Sequence, residues 1–482
     1  PAAETPAAAR ETAGRAAPET FEASGVTVRI QPYGAGIVGY EYPGPLDRVE
    51  LVADPAPGYF ASWPEVRFKS VGSDPAKPVF EGELPGGVTV RKEYDLGTRD
   101  GMKTLRVTFE NRGRKPARVE PWKLAMGPGL GTVATEQKEN DHLWRAVALL
   151  PPPAGKKRAD YEEYKPNKEP STLDGKVLWA GVSNRFFLAA AFPDAKDFDR
   201  VVRGDKAVST MTTSFFGFGG LKKGEVLEPW IRLEAKGQTL PPGGSASIAL
   251  PFYFGPKGYS HLESLDRGLE RSISFGWFHR LGLLTLRVLE VFHRWTGNWG
   301  WAIILLTLCL QSVMLPLSWK QMKSMAGMKK VQPELARIQQ KFSKDPQRLQ
   351  QEMMEVYRKN GVNPLGGCLP MLIQMPIFIA LFNMLRGAWE LHGQPWMFWI
   401  TDLSAHDPYY VLPLVMGGVM FAQNKLNPQP VADPAQQQMM TIMPVIFTFM
   451  FLHFPSGLVL YWLTNSLVGF GAQLLFRKKL AS

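Results

Sequence analysis

From about residue 25 to 259 the chain alternates apolar and polar residues in short runs, with Gly, Pro, Asn and Asp between them. The clearest runs are VTVRI (26–30), VTVRKEYDL (88–96), TLRVTFEN (104–111) and SASIALPFYF (245–254). A period of two puts every second side chain on one face, which predicts half-buried β-strands. VELVA, EVRFKSV, KVLWAGVS, RFFLAAAF, STMTTSFF and PWIRLEA bring the count above eight. No helical pattern alternates with them, so the expectation is an all-β sandwich over 25–262 rather than an α/β sheet. Residues 1–24, rich in Ala, Pro and charge, read as a disordered linker.

The pattern then changes. In SISFGWFHRLGLLTLRVLEVFHRW (272–295), Arg280, Arg287 and Arg294 recur every seven residues, with Glu290 on the same helical face. A narrow charged stripe on a wide apolar face predicts an amphipathic helix, assigned to 263–296, lying in a membrane interface. Five apolar runs follow, at 297–318, 367–391, 409–425, 439–454 and 457–476. The first is long enough to cross a bilayer core, with Trp299 and Trp301 at its start. The third and fourth are short and fit best where the bilayer is thinned. Between the first two runs, 319–366 is polar and basic. Met328, Val331, Leu335, Ile338 and Phe342 step by three and four, and Leu349, Met353 and Val356 continue such a seam. Pro333 is expected to start a new helix, and Asp345-Pro346 to cap and open another. The expected whole is an α-helical five-span membrane core with a coiled-coil hairpin.

Charge orients it. The formal net charge is +11, and the mean hydropathy of −0.13 averages a polar first half with an apolar second half. The stretch 319–361 holds ten Lys/Arg against four Asp/Glu, and Arg477, Lys478 and Lys479 lie in the tail at 477–482. Lys/Arg excess beside apolar spans marks cytoplasmic segments and favours anionic lipids. Five crossings reconcile a cytoplasmic hairpin and tail with a β-domain outside. No zinc, helix-turn-helix or RNA-binding signature is present, so DNA is not an expected partner. Cys309 and Cys368 lie in apolar segments and read as small buried residues without a metal. The acid pairs Glu162/Glu163 and Asp194/Asp197 fall in polar or turn-like segments and read as surface carboxylates, not catalytic groups. No Walker motif or buried ionisable pair is visible, and no cofactor is expected. The chain opens at Pro1 without a signal peptide or anchor, so an upstream targeting segment is expected to be missing from it.

Polar residues inside the spans are the candidate chemistry: Thr307, Gln311, Gln374, Asn383, Thr448, Tyr461, Thr464, Asn465 and Gln473. Thr307 and Gln311 share a face, as do Tyr461 and Asn465. Polar side chains at membrane depth are costly, and so many exceed what interhelical glue requires. They predict a wet groove lined by several spans.

At MLPLSWKQMKSMAGMKKVQPEL, QEMMEVYRKNGVNPLGGCLPMLIQMPIFIALF, DLSAHDPYYVLPLVMG, DPAQQQMMTIMPVIFTFMF and FPSGLVLYWLTN the chain resembles the YidC/Oxa/Alb family of membrane protein insertases. The likeness covers nearly everything from 272 to 476. The 25–259 region resembles the large periplasmic β-supersandwich of the Gram-negative branch, which has an additional N-terminal span. The resemblance implies an inner-membrane insertase and chaperone that receives nascent membrane proteins from ribosome and targeting machinery, alone or beside the Sec translocon. It implies a hydrophilic groove open to cytoplasm and lipid and closed outside. Groove or client contacts then fall to Thr307, Gln311, Gln374, Asn383, Tyr461, Trp462 and Asn465. Hairpin contacts fall to Lys329, Lys330, Arg337, Lys341 and Arg348. The bacterial family typically carries an arginine where Gln311 stands. Gln311 can hydrogen-bond but supplies no charge to attract acidic client segments. A second tyrosine is common in the family where Trp462 stands.

Two other classes compete. A small-solute transporter or channel needs a through-path and usually inverted repeats, which are not seen. A carbohydrate-binding module would use aromatics of the β-domain, with the spans as anchor.

Overall fold

The computed structural model describes residues 16–481 apart from 53–57, 137–142, 156–157, 165–168, 175, 213–221, 343–344, 362–368 and 427–433. The chain divides into two compact units, Pro1–Ile273 and Ser274–Ser482.

The first unit is built on a nine-stranded antiparallel sheet. Its spatial order is Asp160–Glu163, Arg145–Leu150, Trp179–Ser183, Phe187–Ala191, Ser245–Pro256, Lys103–Asn111, Val88–Asp95, Val79–Leu84 and Lys69–Ser70. One four-stranded sheet runs Glu19–Ala23, Val26–Ile30, Ile37–Pro43 and Arg48–Glu50. A second is Trp122–Met126, Lys222–Ala235, Phe198–Thr212 and Ser171–Asp174. Aromatic rings join the layers: Tyr40 lies 5.2 Å from Phe254, and Trp122 lies 5.7 Å from Phe109.

Alternation drives the burial. In Val88–Asp95 every second residue is buried, and Lys92 stands in that buried phase beside Val88, Val90 and Tyr94. A polar group survives there only with partners, and burial pushes the Lys92 pKa well below that of a free lysine. Its Nζ donates to the carbonyls of Gly34 (2.7 Å) and Phe60 (2.8 Å) and lies near the Trp63 and Phe68 rings. Lys103 occupies a core position in the next strand and donates to the carbonyls of Arg99 and Gly101, each at 3.0 Å.

Several expectations are corrected here. The segment assigned as linker to residue 24 contains the strand Glu19–Ala23, paired with Val26–Ile30 across Ser24-Gly25. Both turn residues have positive φ, as a two-residue hairpin turn requires, and glycine supplies this at little cost. Glu162 and Glu163 lie on an edge strand rather than in a loop, and Glu162 accepts from Arg203 at 2.8 Å. The run 209–216 extends as strand to Thr212, and its remainder lies outside the described residues. The helix assigned to 263–296 begins only at His279. Before it, Leu269 and Ile273 are buried and the backbone forms only the short 3-10 turns Leu269–Ser272 and Gly276–Phe278.

The second unit is helical: α1 (His279–Thr296), α2 (Trp299–Lys341), α3 (Pro346–Lys359), α4 (Leu369–Gly387), α5 (Val411–Leu426), α6 (Pro434–Phe451) and α7 (Ser456–Ala481). In α1, Gly282, Thr285, Leu286 and Leu289 form one buried stripe, while Arg280, Arg287 and Arg294 are exposed. Helix α2 is continuous for 43 residues, through both Pro316 and Pro333, so Pro333 does not start a new helix. Proline forfeits one hydrogen bond. Val331 and Leu335, buried on either side of Pro333, hold the helix in register across that gap. Helix α3 starts as expected: the Asp345 carboxylate accepts from the Arg348 amide at 3.1 Å, and Pro346 follows it. It packs on α2 through Val331, Leu335 and Val356, flanked by Ile338, Met353 and Tyr357. Cys309 is exposed, not buried, and Cys368 lies outside the described residues.

Among the described residues, two stretches are long and apolar enough to cross a membrane, Trp299–Ser324 and Ser456–Leu475. Ile373–Gly387 and Thr441–Phe451 are shorter apolar stretches, and α5 has 16 residues.

Burial pushes Lys103 and Lys257 down to about 8, and pushes the Tyr59 and Tyr94 hydroxyls up. Between about pH 8 and 10 the unfolded lysines keep protons that the folded ones have released. Stability of the first unit therefore rises with pH, by up to about 1.4 kcal/mol per pH unit for each lysine. Above about pH 10 the unfolded tyrosines ionise and the buried ones do not, so stability falls. Urea unfolding of the intact chain in detergent should show a midpoint that peaks near about pH 10, and Lys257→Met should flatten the rise.

Candidate functional site

One end of the second unit gathers the starts of α2, α5 and α7 and the ends of α4 and α6. The loop 388–410 binds them together. Asn298, which caps α2, donates from its side chain to the carbonyls of Pro395 (3.1 Å) and Trp396 (3.0 Å). The Gly457 amide of α7 donates to Leu403 at 2.9 Å. Gly300 makes room for Trp396, since a Cβ there would fall 2.1 Å from the indole.

This end is dry. Ala302, Ile303 and Leu306 of α2, Leu381 and Met384 of α4, Leu412 and Met416 of α5, and Leu458 to Leu460 of α7 are all buried. Beyond Thr307 no residue of α2 before Val331 is buried among the described ones. On α2 burial thus stops one turn before Gln311, whereas on α7 it runs on through Tyr461, Leu463, Thr464 and Ser466, past Asn465.

Two interhelical hydrogen bonds stand at that level. Gln311 of α2 donates through Nε2 to Asn465 Oδ1 of α7. Gln374 of α4 hydrogen-bonds the Tyr461 hydroxyl of α7. Tyr461 and Asn465 are one turn apart, so one face of α7 bonds both neighbours. Gln311 lies twelve residues into α2, about 18 Å from its start at 1.5 Å per residue. Trp462, half-buried beside Tyr461, packs against Phe378 (4.9 Å) and Phe451 (5.2 Å).

Four of the expected residues thus form two bonded pairs, and Trp462 adjoins them. Two do not join. Thr307 is fully buried, and its hydroxyl donates to the Ile303 carbonyl of its own helix at 2.7 Å. Thr448 and Thr464 make the same bond, four residues back. A hydroxyl satisfied this way needs no groove. Asn383 donates to the Phe275 carbonyl at 3.2 Å, nearer the dry end. Of the hairpin residues, Lys330 and Arg337 are exposed, and Lys341 and Arg348 stack on opposite sides of the helix turn against Phe342 (5.2 and 5.4 Å). The Lys329 side chain lies outside the described residues.

Sequence reasoning missed a buried polar cluster in the loop at the dry end. Asp407 Oδ1 accepts from Trp399 Nε1 (2.9 Å) and the Tyr409 amide (3.0 Å), and its Oδ2 accepts from the Leu412 amide (2.7 Å). Asp402 accepts from the amides of Gly393 and Ser404, and His392 Nδ1 lies 3.0 Å from Ser404 Oγ. An Asp followed by Pro408 before an apolar helix is a capping signal, and it was available in DLSAHDPYYVLPL.

Comparison with known proteins adds the family. A model described as 60Kd inner membrane protein matches residues 291–482, and one described as YidC periplasmic domain matches 51–283. A membrane protein insertase YidC from Endomicrobium trichonymphae is 39% identical over 440 residues, 89% of this chain and 79% of that one. Another, from Nitratidesulfovibrio vulgaris strain DP4, is 36% identical over 414 residues, 82% of this chain and 73% of that one. A solved structure of an active YidC insertase with its first transmembrane domain resolved aligns over 95% of this chain and 92% of that one, at 18% identity and a TM-score of 0.42. With two family models side by side and relatives matched along most of its length, the chain belongs to the YidC family of membrane protein insertases.

Proposed function

We propose that this chain inserts membrane proteins with short translocated segments by way of a polar groove that reaches halfway through its helical unit. The observation that carries this is the asymmetry along α2: a packed end up to Thr307, then Gln311, half-buried where the packing of α2 loosens and bonded to Asn465 of α7, one turn from Tyr461. Crossing about 30 Å of hydrocarbon is expensive for a polar segment because it loses water. A groove hydrated from one side shortens the dry path. The short helices α5 and α6 thin the bilayer over the rest. The client's apolar helix then leaves sideways into lipid, and its burial at roughly 25 cal/mol per Å² drives the step. No bond is broken, so no catalytic residue is needed.

In this reading five spans (the first part of α2, then α4 to α7) cross the inner membrane. The α2–α3 hairpin and the basic tail stand in the cytoplasm, and the β unit in the periplasm. The hairpin meets nascent chains, the ribosome and targeting machinery, and its lysines and arginines meet anionic lipid. The protein acts alone or with the Sec translocon and also assists client folding. The dry end weighs against a channel, which needs a polar path at both ends.

The test is insertion of a short client with an acidic translocated segment into liposomes holding the purified protein. The wild-type chain should insert it, and Gln311→Arg should insert it faster by adding a cation to the groove. Insertion by neither, in folded protein, removes the groove reading.

Gln311→Leu should slow insertion only about threefold, since a hydrogen bond between membrane helices averages about 0.6 kcal/mol. Complete loss would assign Gln311 a larger role. Deletion of 332–359 should abolish insertion while leaving the spans assembled by size exclusion and thermal melting, and normal insertion by that deletion would remove the hairpin's docking role.

A further inference from the structure

We propose that the loop 388–410 is a latch whose buried aspartates, Asp402 and Asp407, keep the dry end of the helical unit closed to ions while clients pass. This rests on the groove reading and assigns residues to its closed side.

The loop is held in a way ordinary connections are not. Asp407 is almost fully buried and receives three donors on its two carboxylate oxygens, including the first-turn amide of α5 at Leu412. Asp402, also buried, folds the loop back through the amides of Gly393 and Ser404, both on its Oδ1. Ser456 closes the other side, donating from its amide (2.7 Å) and its hydroxyl (2.8 Å) to the Ala405 carbonyl. One loop therefore ties the starts of α5 and α7 together, while Asn298 ties it to α2.

A carboxylate buried in this way is costly unless its donors are fixed, and losing one partner exposes the others. The alternative for this loop is to swing out and hydrate both carboxylates. That would lift Leu403, buried beside Gly457 at the start of α7, off that helix end. Water would then reach the Gln311 level from both ends, and the half-groove would become a pore. Small-ion tightness is thus set by the latch, and insertion by the polar pairs deeper in the unit.

Asp407→Asn replaces one acceptor oxygen with a donor that faces another N–H. Proteoliposomes loaded with a chloride-sensitive dye report ion leak, and the same vesicles report client insertion. Weakening one charge-assisted bond should raise the open fraction, and so the leak, about tenfold, with client insertion preserved. Asp402→Asn should act in the same direction. If Asp407→Asn does not assemble, Trp399→Phe, which removes one donor and keeps the ring, carries the same readout with a smaller rise. An unchanged leak in folded variants overturns the latch, as does loss of insertion without leak, which would make the loop a structural support alone. If the wild type fails to insert, the groove reading fails and the latch's role during client passage fails with it, while leak confined to the variants would still assign the loop the sealing of this end of the helical unit.

Discussion

A polar group surrounded by hydrocarbon or packed core must find its partner within the protein. That demand arranges the helical unit. Thr307, Thr448 and Thr464 return their hydroxyls to their own helices, so they can sit among packed neighbours. Amide side chains cannot hide so easily, because each has both donors and an acceptor to satisfy. Gln311 finds Asn465, and Gln374 finds Tyr461, and among the described residues each pair leaves further amide capacity unspent. In the proposed groove, that capacity is what water or the polar backbone of a visiting chain would use.

The β unit meets the demand with lysines. Lys92 and Lys103 occupy positions where strand alternation calls for apolar side chains, and main-chain carbonyls from neighbouring loops accept from their amino groups. Each lysine pins a loop to the sheet. In the helical unit the roles reverse: the buried carboxylates of Asp402 and Asp407 collect main-chain amides. In both units an ionisable side chain inside the protein fixes the path of irregular backbone.

Periodicity carried much of this in the sequence. The run at 88–96 was legible as a strand because Val88, Val90 and Tyr94 alternate, and it forms Val88–Asp95. The Asp345-Pro346 start and the seam through Val331, Leu335 and Val356 were legible because capping and heptad spacing are local. The pairing of Tyr461 with Asn465 on one face followed from spacing alone, but their partners on α2 and α4 did not. Long-range choices were hidden: Lys92 looks like a surface lysine until Gly34 and Phe60 are brought over it. Pro333 looks like a helix start until buried neighbours on both sides hold the helix through it. The strand Glu19–Ala23 is hidden by a composition that resembles a linker, and only pairing with Val26–Ile30 makes it a strand.

The unbroken course of α2 makes it a lever. From Gln311 to its end at Lys341 the helix extends thirty residues, about 45 Å at 1.5 Å per residue. A tilt of about 10° around Gln311 would carry the far end about 8 Å. The bond between Gln311 and Asn465 sits near the fulcrum, where a small angular change would alter its geometry and any sideways load on the tip would be concentrated. Pro316 and Pro333 each remove a hydrogen bond along the arm, and among the described residues only Pro333 is braced by packing, through Val331 and Leu335 against Val356. Stiffness between those points decides how much of a push on the hairpin is felt at the polar pair, and how much is spent bending the arm.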